Sequence, residues 1–439
     1  MKRTSKITTE PGILFRGHID EVGDDQAMRG IGQELTIGER IAWYRRRRGM
    51  SQEALAGIVG RTVDWLSKIE NNRIDLDRLS VVRRVAEALD VTIGDLVGEP
   101  TLLEWNAESG KKTVSALRDT LLNYRQLSPF AQPAPNDPPE VSRIVTDVDS
   151  VWTAYQESRY GYVVGRLPEL LSSAQAATQA ATNEDQQRAF ALLGLSYQAA
   201  AVLLTKLGEA DLAWIAAERG FASAQRSEDT VVMGSLFRSL VHTLLSTGRY
   251  TEATQLTNDA AAHLQPGLAD AGPEYLSIYG TLLLAGSVAA ARAEDRTSAQ
   301  AFLNEADETA RRIGHDGNHL WTAFGPTNVS IHRVTAAMDL GDVEFAIDLG
   351  QRVDTSSMPR ERQVRHALEV ARALSARNRM EDALATLLNA EQQAPEQVRH
   401  HAISRQLVQT WMRRGRGRPS FQLAGLAQRV RVAGELRTV

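Results

Sequence analysis

Cysteine is absent from the 439 residues. Disulfides, thiolate nucleophiles and cysteine-ligated zinc are excluded together, and a cytoplasmic setting is expected. No run of about 18 apolar residues is apparent, so no membrane span is expected. The first thirty residues lack the apolar block of a signal peptide. Strand signal is almost missing, which points to an all-α chain. No Gly-rich phosphate loop, nucleophile elbow or H-E-x-x-H occurs, so no catalytic residue, cofactor or enzyme activity is expected. The formal net charge of −4 gives no overall attraction for nucleic acid. Any such attraction must be local.

The most informative stretch is Ser51 to Arg73. Ser51 suits an N-cap, and Glu53 lies in the first turn, where its charge complements the helix dipole. Leu55, Ala56, Ile58 and Val59 read as a buried stripe, and Gly60 as the glycine that ends the helix. Thr62 caps a second helix. Leu66 and Ile69 point inward, while Val63, Asp64, Ser67 and Lys68 fall on the outer side. A helix, tight turn and helix of this kind lays its second helix in the DNA major groove. Upstream, Thr36 caps a first helix with Ile37, Ile41 and Tyr44 inward. Downstream, Asp77 caps a helix carrying Leu79, Val82, Val85, Ala86 and Leu89, and Asp90 to Gly98 holds a short fifth.

These residues resemble the Cro/C1 or Xre family of DNA-binding domains. The matching pieces are Ser51-Gln52-Glu53 with Leu55-Ala56, then Val59-Gly60, then Ser67-Lys68-Ile69-Glu70-Asn71. The resemblance implies a five-helix domain over 36–100 and binding to double-stranded DNA as a homodimer on paired half-sites. Two positions depart from the family pattern. Arg61 stands where the turn usually carries an apolar residue and is read as pointing outward. Trp65 is bulky for its place, and two readings stand: a wedge against the core or a contact with the sugar backbone.

Charge supports the same footprint. Arg40 to Arg73 holds eight basic and three acidic residues; Asp75 to Glu99 holds three basic and six acidic. The basic half carries the second helix of the motif, as expected where phosphates are bound. The candidate DNA contacts are Arg45, Arg46, Arg47, Arg48, Gln52, Arg61, Thr62, Val63, Asp64, Ser67, Lys68 and Arg73. Lys68 would donate to guanine and Asp64 accept from cytosine, with Val63 on a thymine methyl. Asp64 also has a second reading, as a dipole partner of its own helix.

Residues 1–35 lack periodicity and read as a mostly disordered arm. Residues 101–140 read as a connecting helix (Lys111 to Leu127) and a Pro-rich linker. Five prolines in thirteen residues from Ser128 to Glu140 exclude helix there.

From 141 to 439 the chain is a succession of helical stretches. One break recurs: Gly208 to Ala213, Gly248 to Ala253, Glu294 to Ala299, Gly341 to Ala346 and Asn378 to Ala383. The closing alanines lie 40, 46, 47 and 37 residues apart. A small residue at that recurrence marks stacked helical hairpins, the alanine letting paired helices lie close. This resembles the tetratricopeptide repeat family, with Gly248, Tyr250, Ala253 and Ala260 the best match; a HEAT-like or mixed solenoid is the alternative. Near the end, Arg416 to Pro419 (RGRP) resembles the core of an AT-hook, and also reads as a basic joint before a last amphipathic helix, Ser420 to Val432.

A solenoid has a concave face that binds peptides or partner proteins. An Xre-like domain followed by such repeats resembles regulators whose repeats sense a small signal. Asn318, Trp321, Asn328 and His332 are the candidate ligand residues, the asparagines suited to an extended peptide backbone. His315 and His319 are four apart, but no third ligand is evident, so no metal is expected. Tyr197, Trp214, Tyr275 and Tyr279 are read as hairpin core. The expected function is a sequence-specific transcriptional regulator working at the nucleoid, its repeats dimerising and sensing a ligand. The alternative is an adaptor whose helix-turn-helix domain binds protein.

Overall fold

The computed structural model describes residues 36–48, 50–74, 76, 79–89, 91, 96, 111–123, 139–414, 418–430 and 432. The N-terminal arm, the linker over 124–138, Asp77 and most of the fifth short helix lie outside them. Among the described residues there is no strand, and the fold is all-α.

The small domain begins with α1 (Ile37–Arg47), opened by a reciprocal cap. Thr36 Oγ1 accepts from the Glu39 N–H, and Glu39 Oε2 accepts from the Thr36 N–H, each at 2.8 Å. Then come α2 (Gln52–Val59), α3 (Val63–Glu70) and α4 (Leu79–Ala88). Ser51 and Thr62 cap α2 and α3. Gly60 ends α2 at φ 68°, a left-handed position glycine takes without strain. Ile41, Leu55, Val59, Leu66, Ile69, Val85 and Leu89 form one core. The helices approach at backbone distance: a Cβ on Gly38 would stand 2.1 Å from the Ile69 carbonyl oxygen. Ile58 does not join the stripe expected of it and is 63% exposed. At about 100° per residue it falls beyond the arc set by Leu55, Ala56 and Val59.

After α5 (Lys111–Leu121) the chain becomes a series of antiparallel hairpins. They are α6 (Val141–Gln156) with α7 (Tyr160–Ala180), α8 (Asn183–Lys206) with α9 (Ala210–Ser227), and α10 (Thr230–Ser246) with α11 (Tyr250–Leu264). Next are α12 (Pro273–Arg292) with α13 (Arg296–Ile313), α14 (Pro326–Leu340) with α15 (Val343–Arg352), and α16 (Arg360–Ala376) with α17 (Met380–Gln393). Then come α18 (Pro395–His400), α19 (Ala402–Arg414) and α20 (Phe421–Arg429), the last capped by Ser420. In the RGRP segment, Arg416 and Gly417 lie outside the described residues.

The recurring break is the turn inside each hairpin. Its first residue is left-handed every time: Gly208, Gly248, Glu294, Gly341 and Asn378 have φ between 58° and 88°. The residue five places on is an alanine with no exposed surface in all five cases. A sixth instance escaped the sequence pattern. Ser158, at φ 61°, turns α6 into α7, and fully buried Val163 takes the alanine's place.

First helices of successive hairpins pack on one another, from α6 through α16, and form an inner row. Helices α8 and α12 are long and apolar enough to cross a membrane by length and composition, contrary to the run-length expectation. Both are mostly buried inside the repeat core.

The row closes on itself. Helix α16 packs against α6. Ser158 Oγ donates to Gln397 Oε1 at 2.7 Å, and Glu396 Oε2 accepts from the Gly161 N–H at 2.9 Å. Lys206 on α8 pairs with Glu361 on α16. The repeat domain is thus a ring with a central cavity.

Candidate functional site

The outer face of α3 carries exposed Val63, Asp64 and Lys68, with exposed Thr62 at its cap. Leu66, Ile69 and Glu70 face inward. Asp64 and Lys68 pair with each other at 2.6 Å, one turn apart. Ser67 is half-buried, and its carbonyl accepts from Asn71 Nδ2 at 2.7 Å. Trp65 is half-buried against the domain core, which favours the wedge reading, and the Arg61 guanidinium lies 5.7 Å from its ring centre.

The arginine run divides. Arg46 and Arg48 are exposed, as is Arg73 beyond α3; the side chain of Arg47 lies outside the described residues. Arg45 departs from the expectation of a phosphate contact. It is 8% exposed and makes two hydrogen bonds to Glu70, with a third to the Met50 carbonyl at 2.8 Å. Gln52 Nε2 donates to the same Glu70 carboxylate at 2.8 Å. Burial of Glu70 inside the motif is what draws both side chains inward.

The loop carrying the candidate ligand residues is unusual. Leu320, Trp321 and Ala323 all have φ between 44° and 54°, a strained run for residues with side chains. Asn318 fastens it. Its Oδ1 accepts from the Ala323 N–H at 3.1 Å, and its amide exchanges two hydrogen bonds with Gln156, each 2.9 Å. Asn328 is fully buried beneath the loop, its Oδ1 unpartnered. Phe324 seats against Gly280, where any Cβ would stand 1.9 Å from the ring. The result is Trp321 stacked on Trp152, ring centres 5.3 Å apart and planes at 8°. Trp321 and His332 line the cavity, while Asn318 and Asn328 hold its wall from behind. His315 is exposed and contacts the Ile313 carbonyl, and no group of three metal-ligating side chains occurs among the described residues. Tyr197 and Tyr279 are core, Tyr275 is half-buried, and Trp214, 42% exposed, is not.

The cavity holds about 370 Å³ inside the ring. The inner helices send six cations to its lining: Lys206, Arg238, Arg292, Arg362, Arg365 and Arg372. None was visible as a set, because they are spread along 167 residues and four helices. The one local signal was the pairing of Arg238 with His242 on a single helical face, four apart. Burial, then Arg362, pushes His332 down to about 3; burial and Arg238 push His242 well below its ordinary range. Burial opposes ionisation of Glu361, yet Lys206, Arg362 and Arg365 together hold its carboxyl at about 2. The small domain completes the wall with Ile37, Leu76 and Val82. Two further contacts join it to the ring: Arg84 with Glu294 at 3.1 Å, and Arg83 over Tyr250 at 5.3 Å.

Comparison with known proteins agrees with this geometry in the small domain. Residues 36–99 match the family described as a helix-turn-helix domain. The HTH-type transcriptional regulator SinR of Bacillus licheniformis is 29% identical over 85 residues, 19% of this chain and 77% of its own length. The immunity repressor protein of Bacillus phage phi105 is 27% identical over 139 residues, 29% of this chain and 96% of its own. Among solved structures, Bacillus thuringiensis PlcR in complex with the peptide PapR7 and DNA has a TM-score of 0.35 at 14% identity, covering 72% of this chain and 92% of that one. The apo competence regulator ComR of Streptococcus vestibularis has a TM-score of 0.29 at 13% identity, covering 77% and 99%. Superpositions this loose transfer no residue or ligand to the present chain. The matched domain and the hairpin geometry together show a helix-turn-helix domain followed by a domain of tetratricopeptide-like helical hairpins.

Proposed function

We propose that this regulator binds DNA in a sequence-specific way, as a homodimer on paired half-sites, at the nucleoid, and that a small ligand or peptide in the ring cavity sets its affinity. Lys68 and Asp64 read bases from the exposed face of α3. Arg61, Arg73, Arg46 and Arg48 meet phosphates around it, and Gln52 does so only by leaving Glu70. The observation that carries the sensing half is the cavity wall. Ile37, Leu76 and Val82 of the small domain line the same space as Trp321, His332 and the arginines of the repeats. A ligand there touches both domains, so it has different contacts when the small domain is seated and when it is displaced. That difference in affinity is the only means by which a ligand shifts such an equilibrium. Half-sites have a fixed separation, so a displacement of a few ångströms in one recognition helix costs one half-site.

The test starts with an operator selected from random duplexes by the purified full chain. Operator affinity is then measured with and without fractionated cell extract and candidate peptides, and light scattering gives the subunit number. Selection of a two-fold symmetric site, with affinity altered by one fraction, is the expected result. Failure to enrich any duplex would leave a protein-binding adaptor. An enriched site whose affinity no fraction alters would leave a repeat domain that only holds the dimer.

A further inference from the structure

We infer that the cavity takes a ligand with an anionic group and an apolar body, the carboxylate or phosphate being received by Arg238 and Arg362. The inference rests on the sensing reading and narrows its ligand class.

Most of the cavity's cations are already answered. Arg292 and Arg372 share Asp339 at 3.0 and 2.7 Å, Arg365 meets Glu369 at 3.0 Å, and Lys206 takes Glu361. Arg238 and Arg362 are the remainder. Arg238 is 7% exposed and lines the cavity, and its Nε has no hydrogen-bond partner. Among the described residues no carboxylate pairs with it. Among the described residues Arg362 has only Glu361, at 3.9 Å, which Lys206 already engages, and its own Nε is also unpartnered. Burial, and then the positive charge of Arg362, lowers the Arg238 guanidinium to about 10.

A guanidinium nitrogen buried without a partner is costly, and native folds rarely retain one without a reason. Two such nitrogens on the lining of one cavity suit the planar or tetrahedral oxygens of an anion. The rest of the lining defines the other end of the ligand. Trp152 and Trp321 present a stacked indole wall, extended by Ile331 and Val202. At about 370 Å³ the space is on the scale of a small-molecule cavity.

Calorimetric titration of the full chain with phenylacetate, phenyl phosphate and the neutral phenylacetamide tests this. At least one anion is expected to bind about tenfold or more tightly than the amide, since charge-assisted bonds carry the difference. The better anion identifies the group as carboxylate or phosphate. Arg238→Gln and Arg362→Gln should each erase the discrimination. Without ligand, Arg238→Gln should melt no lower than the parent, because it relieves an unpartnered charge. Equal binding of acid and amide, no heat from either anion at millimolar concentration, or a marked drop in the Arg238→Gln melting temperature would each overturn the inference. An anion that binds through these arginines without altering operator affinity would leave this inference standing and remove the sensing reading instead.

Discussion

The guanidinium of Arg45 and the carboxylate of Glu70 meet through two hydrogen bonds, 2.6 and 2.8 Å long, across 25 residues of sequence. Both side chains are almost withdrawn from solvent, at 10% and 3% exposure. The pair ties the end of α1 to the end of α3, so the run of four arginines owes its first member to architecture.

Arg45→Ala is therefore expected to act on folding. Removing one partner of a buried pair strands the other, at about 3–5 kcal/mol. Urea unfolding measures it, and Arg45→Met combined with Glu70→Leu should recover much of the loss. Arg45→Ala with unchanged stability and a salt slope of DNA binding reduced by about one would reassign the residue to a phosphate.

Lys68→Ala should behave in the opposite way. Its pair with Asp64 is exposed, so stability should move by less than about 1 kcal/mol. Operator binding should lose roughly 1–3 kcal/mol, with relaxed preference at one base pair. Equal binding by the variant would mean that the helix sits in the groove in another register.

Gly280→Ala should destabilise the ring. The new methyl would overlap the Phe324 ring, and displacing an aromatic from a full core costs typically 1–3 kcal/mol. Because Phe324 closes the loop that presents Trp321, the Trp152–Trp321 stack should loosen as well. Tryptophan fluorescence and thermal melting check both, and an unchanged melt would show that the loop yields freely.

Stability should fall as pH drops below about 6.5. His332 titrates at about 3 in the fold against an ordinary 6.5. Burial comes first among the causes, then Arg362. Between those values the unfolded chain binds a proton that the folded chain refuses, so stability is full above 6.5 and is lost progressively towards 3. His242 and His401, lowered chiefly by burial, add in the same direction. Denaturant titrations at pH 7.5 and 5 measure the slope, and His332→Gln should flatten it. Greater stability at the lower pH would contradict the buried neutral histidines.

Local signals in the sequence carried far. The caps at Thr36, Ser51 and Thr62, the αL glycine at 60 and the turn motif of the hairpins all act within a few residues, and each stands where the pattern placed it. The turn before α7 was missed because Ser158 and Val163 meet the same backbone and packing demands with different side chains. The cavity was illegible for a different reason. Its cations lie on separate helices, and only ring closure brings them together. Asn318 and Asn328 look like ligand groups in a sequence, yet the strained turn between them engages the Asn318 Oδ1 and the Asn328 Nδ2. The phosphate reading of Arg45 failed similarly, since nothing local announces that Glu70 is buried.

An open solenoid unravels from its ends, each repeat held only by its neighbours. Here the bonds from Ser158 and Gly161 to Gln397 and Glu396 join the first hairpin to α18, the helix that follows the last one. A first hairpin so joined is less free to fray, and folding becomes cooperative over a sequence span that repeat arrays normally avoid. Losing α18 would then do more than shorten the array: it would release the opposite end, and hydrogen exchange should quicken around α6 as much as beside the cut.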